Sequence, residues 1–168
     1  PVATPGPEGG ALFFDGQDDR AVVAPDLNQL GDLLPRKHFT ISTRVSVNSP
    51  LAYGGIFSVI QDNGNSEKGW VLGYGMKHFY LGLASKGADD GDGLMTYLRG
   101  RSRYELGRMY HVVATYDGEE MCLYVNGRLD ATSTVQSGDI LYPERAPVVL
   151  AGYRDDNEDF PHHGRIRE

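Results

Sequence analysis

The sequence predicts an all-β fold, a two-sheet antiparallel β-sandwich of the jelly-roll type, and three observations support this. About a dozen short runs of β-branched and aromatic residues recur at spacings of about 8–12 residues, as in sandwiches and barrels. The 22 glycines among 168 residues supply the turns that so many strands require. No stretch has the period of a long amphipathic helix. We therefore expect two antiparallel sheets of about six strands each, packed face to face.

The clearest signal is a three-stranded meander over residues 110–132. Residues 110–116 form a β-branched and aromatic run, which favours a half-buried strand. Residues 121–125 alternate between two faces, with Met121, Leu123 and Val125 on the apolar one. The Asp-Gly pair at 117–118 and the Asn-Gly pair at 126–127 tolerate positive φ, so the chain can reverse on both sides of this strand.

The other elements follow in chain order. Residues 39–47 alternate between apolar and polar side chains, which predicts a strand with one buried and one wet face. The leucines within residues 27–34 have a helix-like spacing, but Gly31 and Pro35 limit this segment to one or two turns. Residues 99–103 contain three arginines and are predicted to form a basic turn after a short strand at 95–98. Further strands are predicted at residues 11–14, 21–23, 56–60, 70–74, 78–83 and 148–153.

Motifs spread along the chain resemble one family. The meander reads His-Val-x-x-Thr-Tyr-Asp-Gly from His111 and Leu-Tyr-Val-Asn-Gly from Leu123. Residues 14–16 resemble the opening strand, residues 39–42 the next long strand, and residues 164–166 the start of the closing strand. These motifs are similar to those of laminin-G-like domains in the concanavalin A-like lectin/glucanase superfamily, from about Ala11 onward. The resemblance implies a concanavalin A-like jelly roll and is more specific for fold than for function.

Length and composition indicate one globular domain with a substantial core. Residues 1–10 contain three prolines and three glycines, which predicts a linker or processed end before a sandwich domain at residues 11–168. We expect the closing strand to be truncated at Glu168 and the chain to be part of a longer exported polypeptide, extracellular, at the cell surface or periplasmic. Cys122 is the single cysteine, so an internal disulfide is excluded.

The charge and hydropathy patterns exclude some partners. A net charge of −7 argues against nucleic acid and anionic membrane surfaces. No apolar run approaches the length of a membrane span, so membrane insertion is not expected.

Glycan hydrolysis is the first enzymatic hypothesis, because glucanases share the superfamily fold. It needs two carboxyl groups about 5–10 Å apart. The related glucanases place them in a Glu-x-Asp-x-x-Glu strand, and the sequence contains no such strand. A Gly-x-Ser-x-Gly nucleophile motif and zinc-type Cys/His spacing are also absent from the sequence. We therefore expect a non-catalytic domain, with a glycoside hydrolase or lyase as the lower-ranked alternative.

Calcium is the metal that the acidic turns fit, because a hard cation takes several oxygens from carboxylates and amides. The resemblance implies that the opening turn and the closing strand could share one calcium ion. Many related closing strands read Gly-x-Ile-Asp-Glu, whereas Arg167 stands in place of the acidic residue here. The alternative is that both turns are solvated loops. The candidate metal ligands are Asp15, Asp19, Asp155, Asn157 and Glu158.

Ligand recognition would use aromatic rings, which stack on the apolar C–H faces of sugars, together with polar groups that bind hydroxyls. Each ring could equally be a core residue, as most tyrosines in a sandwich are. The candidate ligand-binding residues are Trp70, Tyr74, Tyr97, Arg99 and Tyr104. The first functional hypothesis is a module that binds carbohydrate or a glycosylated surface, with calcium assisting. The second is a protein–protein adhesion or assembly module.

Overall fold

A computed structural model describes residues 1–5 and 10–167 of the chain. Single-turn 3-10 helices lie at Leu27–Gln29, Gly31–Leu33 and Lys86–Ala88. Among the described residues, no helix has the length and apolar character needed to span a bilayer. The described strands are β1 (Val2–Thr4), β2 (Ala11–Asp15), β3 (Ala21–Ala24), β4 (Phe39–Val47), β5 (Gly54–Asp62), β6 (Glu67–Tyr74), β7 (His78–Ala84), β8 (Met95–Arg103), β9 (Met109–Tyr116), β10 (Met121–Val125), β11 (Arg128–Ser133), β12 (Val148–Leu150), β13 (Gly152–Arg154), β14 (Asp159–Pro161) and β15 (His163–Arg167).

The strands form two large antiparallel sheets, which confirms the predicted all-β sandwich. The first sheet has seven strands in the order β1-β2-β15-β4-β9-β10-β11. The second has six in the order β3-β12-β5-β6-β7-β8, and β13 and β14 form a separate hairpin. The main core lies between the two large sheets, and a smaller apolar cluster covers part of the outer face of the second sheet.

The predicted meander is strands β9, β10 and β11. Every second residue of β9 is buried, beginning with Tyr110, so one face of this strand packs into the core. Met121, Leu123 and Val125 are buried as the alternation requires. Asn126 and Gly127 both have positive φ, at 51° and 77°, which matches the twist of a tight hairpin.

Two local predictions need correction. The predicted basic turn at 99–103 is the second half of β8, because backbone pairing with β7 continues as far as Arg103 opposite His78. The predicted strand at 148–153 is two strands, because Ala151 has a φ of 65° and breaks the pleat between β12 and β13.

The two ends of the described chain lie in the first sheet. Val2–Thr4, within the predicted linker, forms β1 and pairs with β2, while residues 6–9 lie outside the described residues. The predicted closing strand is β15, which lies between β2 and β4. It pairs with β4 from Val47 to Arg44.

Candidate functional site

Trp70 lies in the core and is 3% exposed. Its indole packs between the rings of Phe39 and Phe57, with centroids 5.5 and 5.1 Å away. Its Nε1 donates to the hydroxyl of Tyr142 at 3.0 Å, which satisfies the one polar atom of the ring. The predicted ligand residue is therefore almost entirely enclosed by protein.

Tyr74 and Tyr104 also pack inward. Tyr74 is fully buried, and its ring lies edge-on to that of Tyr104, with centroids 6.0 Å apart. Burial raises the pKa of Tyr104 to about 12, so its hydroxyl stays protonated. That hydroxyl donates to the carbonyl of Gly75 at 2.6 Å. Tyr104 therefore holds the turn between β6 and β7 in place.

Tyr97 and Arg99, the other two predicted ligand residues, line a pocket of about 490 Å³ on the outer face of the second sheet. This volume is within the usual range of small-molecule sites. The structure therefore brings two of the five predicted ligand residues together. The full lining is Ala52, Tyr53, Gly75, Met76, Lys77, His78, Tyr80, Tyr97, Arg99 and Arg103.

The floor of the pocket rests on cross-strand pairs of glycine and tyrosine. Gly73 pairs with Tyr80, and Gly82 pairs with Tyr97. A Cβ at Gly73 would lie 2.6 Å from the Tyr80 hydroxyl, and one at Gly82 would lie 3.0 Å from Tyr97 Cε1. Each tyrosine ring therefore lies across a strand where only glycine leaves room. The rings of Tyr80 and Tyr97 meet edge-on, with centroids 5.4 Å apart.

Hydrogen bonds fix the floor rings in place. The Tyr97 hydroxyl donates to the Asp62 carboxylate, and the Tyr80 hydroxyl donates to the Gly54 carbonyl at 3.3 Å. Burial raises the pKa of Tyr97, and nearby Tyr153 and Asp62 raise it further. The hydroxyl of Tyr97 therefore remains a donor at all ordinary pH values.

The rim of the pocket combines an accessible aromatic ring with basic groups. Tyr53 is 48% exposed, and its ring centroid lies 6.1 Å from that of Tyr97. Met76 is also exposed. Lys77, in the turn before β7, and Arg99 and Arg103, on β8, supply charge and hydrogen-bond donors. The arrangement can hold a small ring against Tyr53 while donors bind its polar substituents.

The opening acidic turn brings three carboxylates together. Asp15, Asp18 and Asp19 each offer an oxygen, and these atoms lie within 4.8 Å of one another. The Asp15 carboxylate accepts from the backbone N–H of Gln17 at 2.9 Å, and this contact lowers its pKa. Oxygen donors at this spacing are of the kind that calcium uses.

The second acidic turn lies between β13 and β14. Asp155 Oδ1 accepts from the backbone N–H groups of Asn157 and Glu158 at 3.1 and 2.7 Å, which folds the turn. Burial raises the pKa of Glu158, and the charges of Asp155 and Asp62 raise it further. Arg20 Nη1 bonds Asp159 Oδ2 at 2.5 Å and links this hairpin to the opening turn. Of the five predicted metal ligands, Asp15 and Asp19 belong to the carboxylate cluster of the opening turn.

A second, larger groove of about 640 Å³ lies beside β4 and β15. Its lining includes Leu12, Ile41, Ile56, Phe57 and Leu150. Apolar surface dominates this groove, whereas the smaller pocket has aromatic rings and charged donors together.

The sequence did not point to Tyr53, Lys77, His78 or Arg103 as a group. Tyr53 precedes β5, and the three basic residues lie at the start of β7 and the end of β8. Strand pairing brings them together, since His78 lies opposite Arg103. The alternation of residues 95–103 could have placed Tyr97 and Arg99 on one face, had this segment been predicted as a single strand.

Comparisons with known proteins identify relatives. The family model of the concanavalin A-like lectin/glucanases superfamily matches residues 15–168. Mouse pappalysin-1 is 28% identical over 173 residues, and this match covers 95% of the chain but 10% of pappalysin-1. The chain thus spans about a tenth of that relative's length.

Two solved structures have the same fold. Domain 4 of AbnA, an extracellular arabinanase from Geobacillus stearothermophilus in complex with arabinotriose, superposes with a TM-score of 0.60 and 20% identity, covering 98% of the chain and 71% of that domain. The CBM40 of the Ruminococcus gnavus IT-sialidase, bound to α2,3-sialyllactose, superposes with a TM-score of 0.64 and 17% identity, covering 93% and 90%.

Proposed function

The chain belongs to the concanavalin A-like lectin/glucanases superfamily, and from this premise we propose that it is a non-catalytic module that binds carbohydrate. The observation that carries the proposal is the pocket on the outer face of the second sheet, where Tyr53 is exposed beside Tyr97 and a basic rim. Sugars offer apolar C–H faces to such rings and hydroxyls to such donors.

The residues of the pocket have different roles in binding. Tyr53 is the stacking ring, because it is the exposed aromatic of the lining. Tyr97 is half-buried and supports it from the floor. Arg99 and Lys77 donate hydrogen bonds to sugar oxygens. Tyr104 acts indirectly, because its bond to Gly75 fixes the turn that carries Lys77.

The test is direct binding of a panel of oligosaccharides to the purified chain, followed by titration calorimetry on those that bind. Tyr53→Ala should weaken binding by about 1–3 kcal/mol, the usual contribution of a stacked ring. Tyr124→Ala is the matched control, because Tyr124 is a half-buried tyrosine on the other sheet. Equal losses in the two variants would refute a site at this pocket.

A glycan-cleaving activity is the alternative within the same pocket. No aspartate or glutamate among the described residues lines this pocket, and the Asp62 carboxylate already accepts a hydrogen bond from the hydroxyl of Tyr97. Incubation of each bound glycan with the protein, followed by chromatography of the products, distinguishes binding from cleavage. Cleavage would be favoured if the Tyr124→Ala variant still yields shortened products and the Tyr53→Ala variant yields none.

Calcium binding at the opening turn is a separate part of the proposal. Asp15, Asp18 and Asp19 would hold the ion, which would brace the turn that follows β2. A thermal melt in millimolar calcium against chelator tests this, since an ion at a hundredfold excess over its Kd adds about 2.7 kcal/mol of stability. Asp15→Asn and Asp19→Asn should abolish the rise, whereas Asp155→Asn should leave it in place. An identical melt in calcium and chelator would exclude the site.

A protein–protein adhesion role is the alternative that the apolar groove beside β4 favours. The groove is larger than the sugar pocket and is lined by side chains such as Ile41 and Phe57. Exposed Leu33 and Val23 lie in an adjoining hollow that shares Ile41 and Phe57. Two results together would support this alternative. No glycan would bind, and copies of the purified chain would associate in a concentration-dependent manner that Ile41→Asp abolishes.

We propose that the module works outside the cell, within a longer polypeptide. Support comes from the family and from the extracellular arabinanase domain that shares its fold. Detection of the native protein in the extracellular fraction with an antibody against this chain tests the proposal. Recovery in the cytosolic fraction alone would contradict it.

A further inference from the structure

The charge of the pocket is opposite to that of the chain. Acidic residues outnumber lysine and arginine by 23 to 16, and the net charge is −7. The pocket is nevertheless lined by Lys77, Arg99, Arg103 and His78, and no aspartate or glutamate lines it among the described residues. Three cations and a histidine thus surround one cavity of about 490 Å³ in an otherwise acidic protein.

These cations are not neutralised by any residue that the structure describes. The ion pairs of the described chain involve other cations, such as Arg108 with Glu105 and Arg20 with Asp159. Lys77, Arg99 and Arg103 form no ion pair with any described residue. The Nδ1 atom of His78 is buried and likewise has no hydrogen-bond partner among the described residues. The pocket therefore presents donors and positive charge without a matching acceptor.

An irregularity in strand pairing places both arginines at the same cavity. Arg99 lies opposite Tyr80, and Arg103 lies opposite His78. Between these two pairs the chain moves by four positions along β8 but by only two along β7. β8 therefore contains a bulge. Bulges redirect side chains at sheet edges. Arg101, within the bulge, is exposed and does not line the pocket.

We propose that the pocket selects acidic sugars, with Arg99 and Arg103 binding a carboxylate or sulfate group while Tyr53 stacks on the ring that carries it. This inference rests on the proposed function and narrows its ligand class. The guanidinium fork binds planar or tetrahedral oxyanions through paired hydrogen bonds. The net negative charge of the whole chain disfavours long polyanions such as nucleic acid, whereas one acidic group fits the local charge.

A matched ligand series tests the proposal. The probes are lactose, sialyllactose and lactose 6-sulfate, which share one neutral disaccharide. Sialyllactose adds a third sugar that carries a carboxylate, and lactose 6-sulfate adds a sulfate group. We expect each acidic probe to bind at least about tenfold more tightly than lactose, the effect of one charge-assisted hydrogen-bonded pair. The tighter of the two acidic probes identifies the anion. The preference should shrink as sodium chloride rises from about 10 to 150 mM, because salt shortens the Debye length from about 30 to 8 Å.

Variants on one strand supply the control. Arg99→Gln and Arg103→Gln should each reduce the affinity for the acidic probes by about tenfold more than they reduce the affinity for lactose. Arg101→Gln changes charge equally but lies outside the pocket lining, so it should leave all affinities within about twofold. All three variants alter exposed residues, and a thermal melt verifies that they fold.

The outcomes separate the two proposals. If lactose binds as tightly as the acidic probes, or if Arg101→Gln matches Arg99→Gln, acid selection is overturned while carbohydrate binding stands. If no probe binds and the wider oligosaccharide panel is also negative, both proposals fail. Selective loss in the Arg99 and Arg103 variants establishes acid recognition at this pocket.

Discussion

His162 makes the stability of the domain depend on pH. His162 connects β14 to β15, and its side chain is fully buried, with its ring against those of Phe14 in the first sheet and Tyr74 in the second. Nδ1 lies 3.1 Å from the Tyr74 hydroxyl, and Nε2 has no hydrogen-bond partner among the described residues. Burial lowers the pKa of His162 from 6.5 to about 4, and neighbouring His163 lowers it further. The native state therefore holds this imidazole neutral.

The sign of the effect follows from the two pKa values. Below pH 6.5 the unfolded chain binds a proton at this histidine, while the folded protein does not until about pH 4. Acid therefore favours the unfolded state, and stability falls as the pH drops through this window. Within this window, each pH unit changes the free energy of unfolding by about 1.4 kcal/mol. The loss that His162 causes between pH 7.5 and 4.5 is roughly 2.5 kcal/mol.

Urea unfolding of the wild type and of His162→Gln across this pH range measures the effect. Glutamine does not titrate, so the free energy of unfolding of the variant should fall by about 2.5 kcal/mol less than that of the wild type. The carboxylates affect both proteins equally and cancel in the difference. His38→Gln, which removes an exposed histidine, should follow the wild type. Parallel pH profiles for the wild type and His162→Gln would refute the reasoning.

Three further changes test packing and backbone geometry. Trp70→Phe removes an indole N–H that donates to a buried hydroxyl and leaves a void, so urea unfolding should show a loss of about 1–3 kcal/mol, and unchanged stability would contradict the core assignment. Asn126→Ala should cost about 1–2 kcal/mol, because Asn126 has a φ of 51° and its side chain accepts a backbone N–H of β9. Asn126→Gly should cost less, and the reverse order would contradict the role of φ. Gly82→Ala places a methyl group against Val71 and Tyr97, so both the melting temperature and sugar affinity should fall. Gly10→Ala, whose Cβ would lie at an ordinary contact distance of 3.7 Å from the Thr4 carbonyl oxygen, should change neither.

The sequence predicted the fold well where one face of a strand is wet. In β10, Cys122 and Tyr124 alternate with three apolar residues, and the structure buries the apolar set as expected. The turn glycines mark both ends of this strand, so its position and register follow from local chemistry.

The candidate site was harder to predict, because both faces of β6 are buried. Trp70 points into the main core, while its neighbour Val71 belongs to the outer cluster. Neither polarity nor spacing tells which face of such a strand is which. Arg99 and Arg103 were misplaced for the opposite reason. Three arginines on an exposed edge strand have the composition of a turn, and only pairing with β7 identifies them as strand residues.

The glycine–tyrosine pairs under the pocket restrict how this domain can diversify. A side chain added at Gly82 would press on both Val71 and Tyr97, and one added at Gly73 would collide with the Gly54 carbonyl as well as with Tyr80, so neither glycine can be replaced without a change in its surroundings. The floor of the pocket and the backbone of the sheet therefore vary together or not at all. The rim has no such restriction, since Tyr53 and Met76 are exposed. Relatives with other ligand preferences should accordingly differ at the rim first, while the floor keeps its shape.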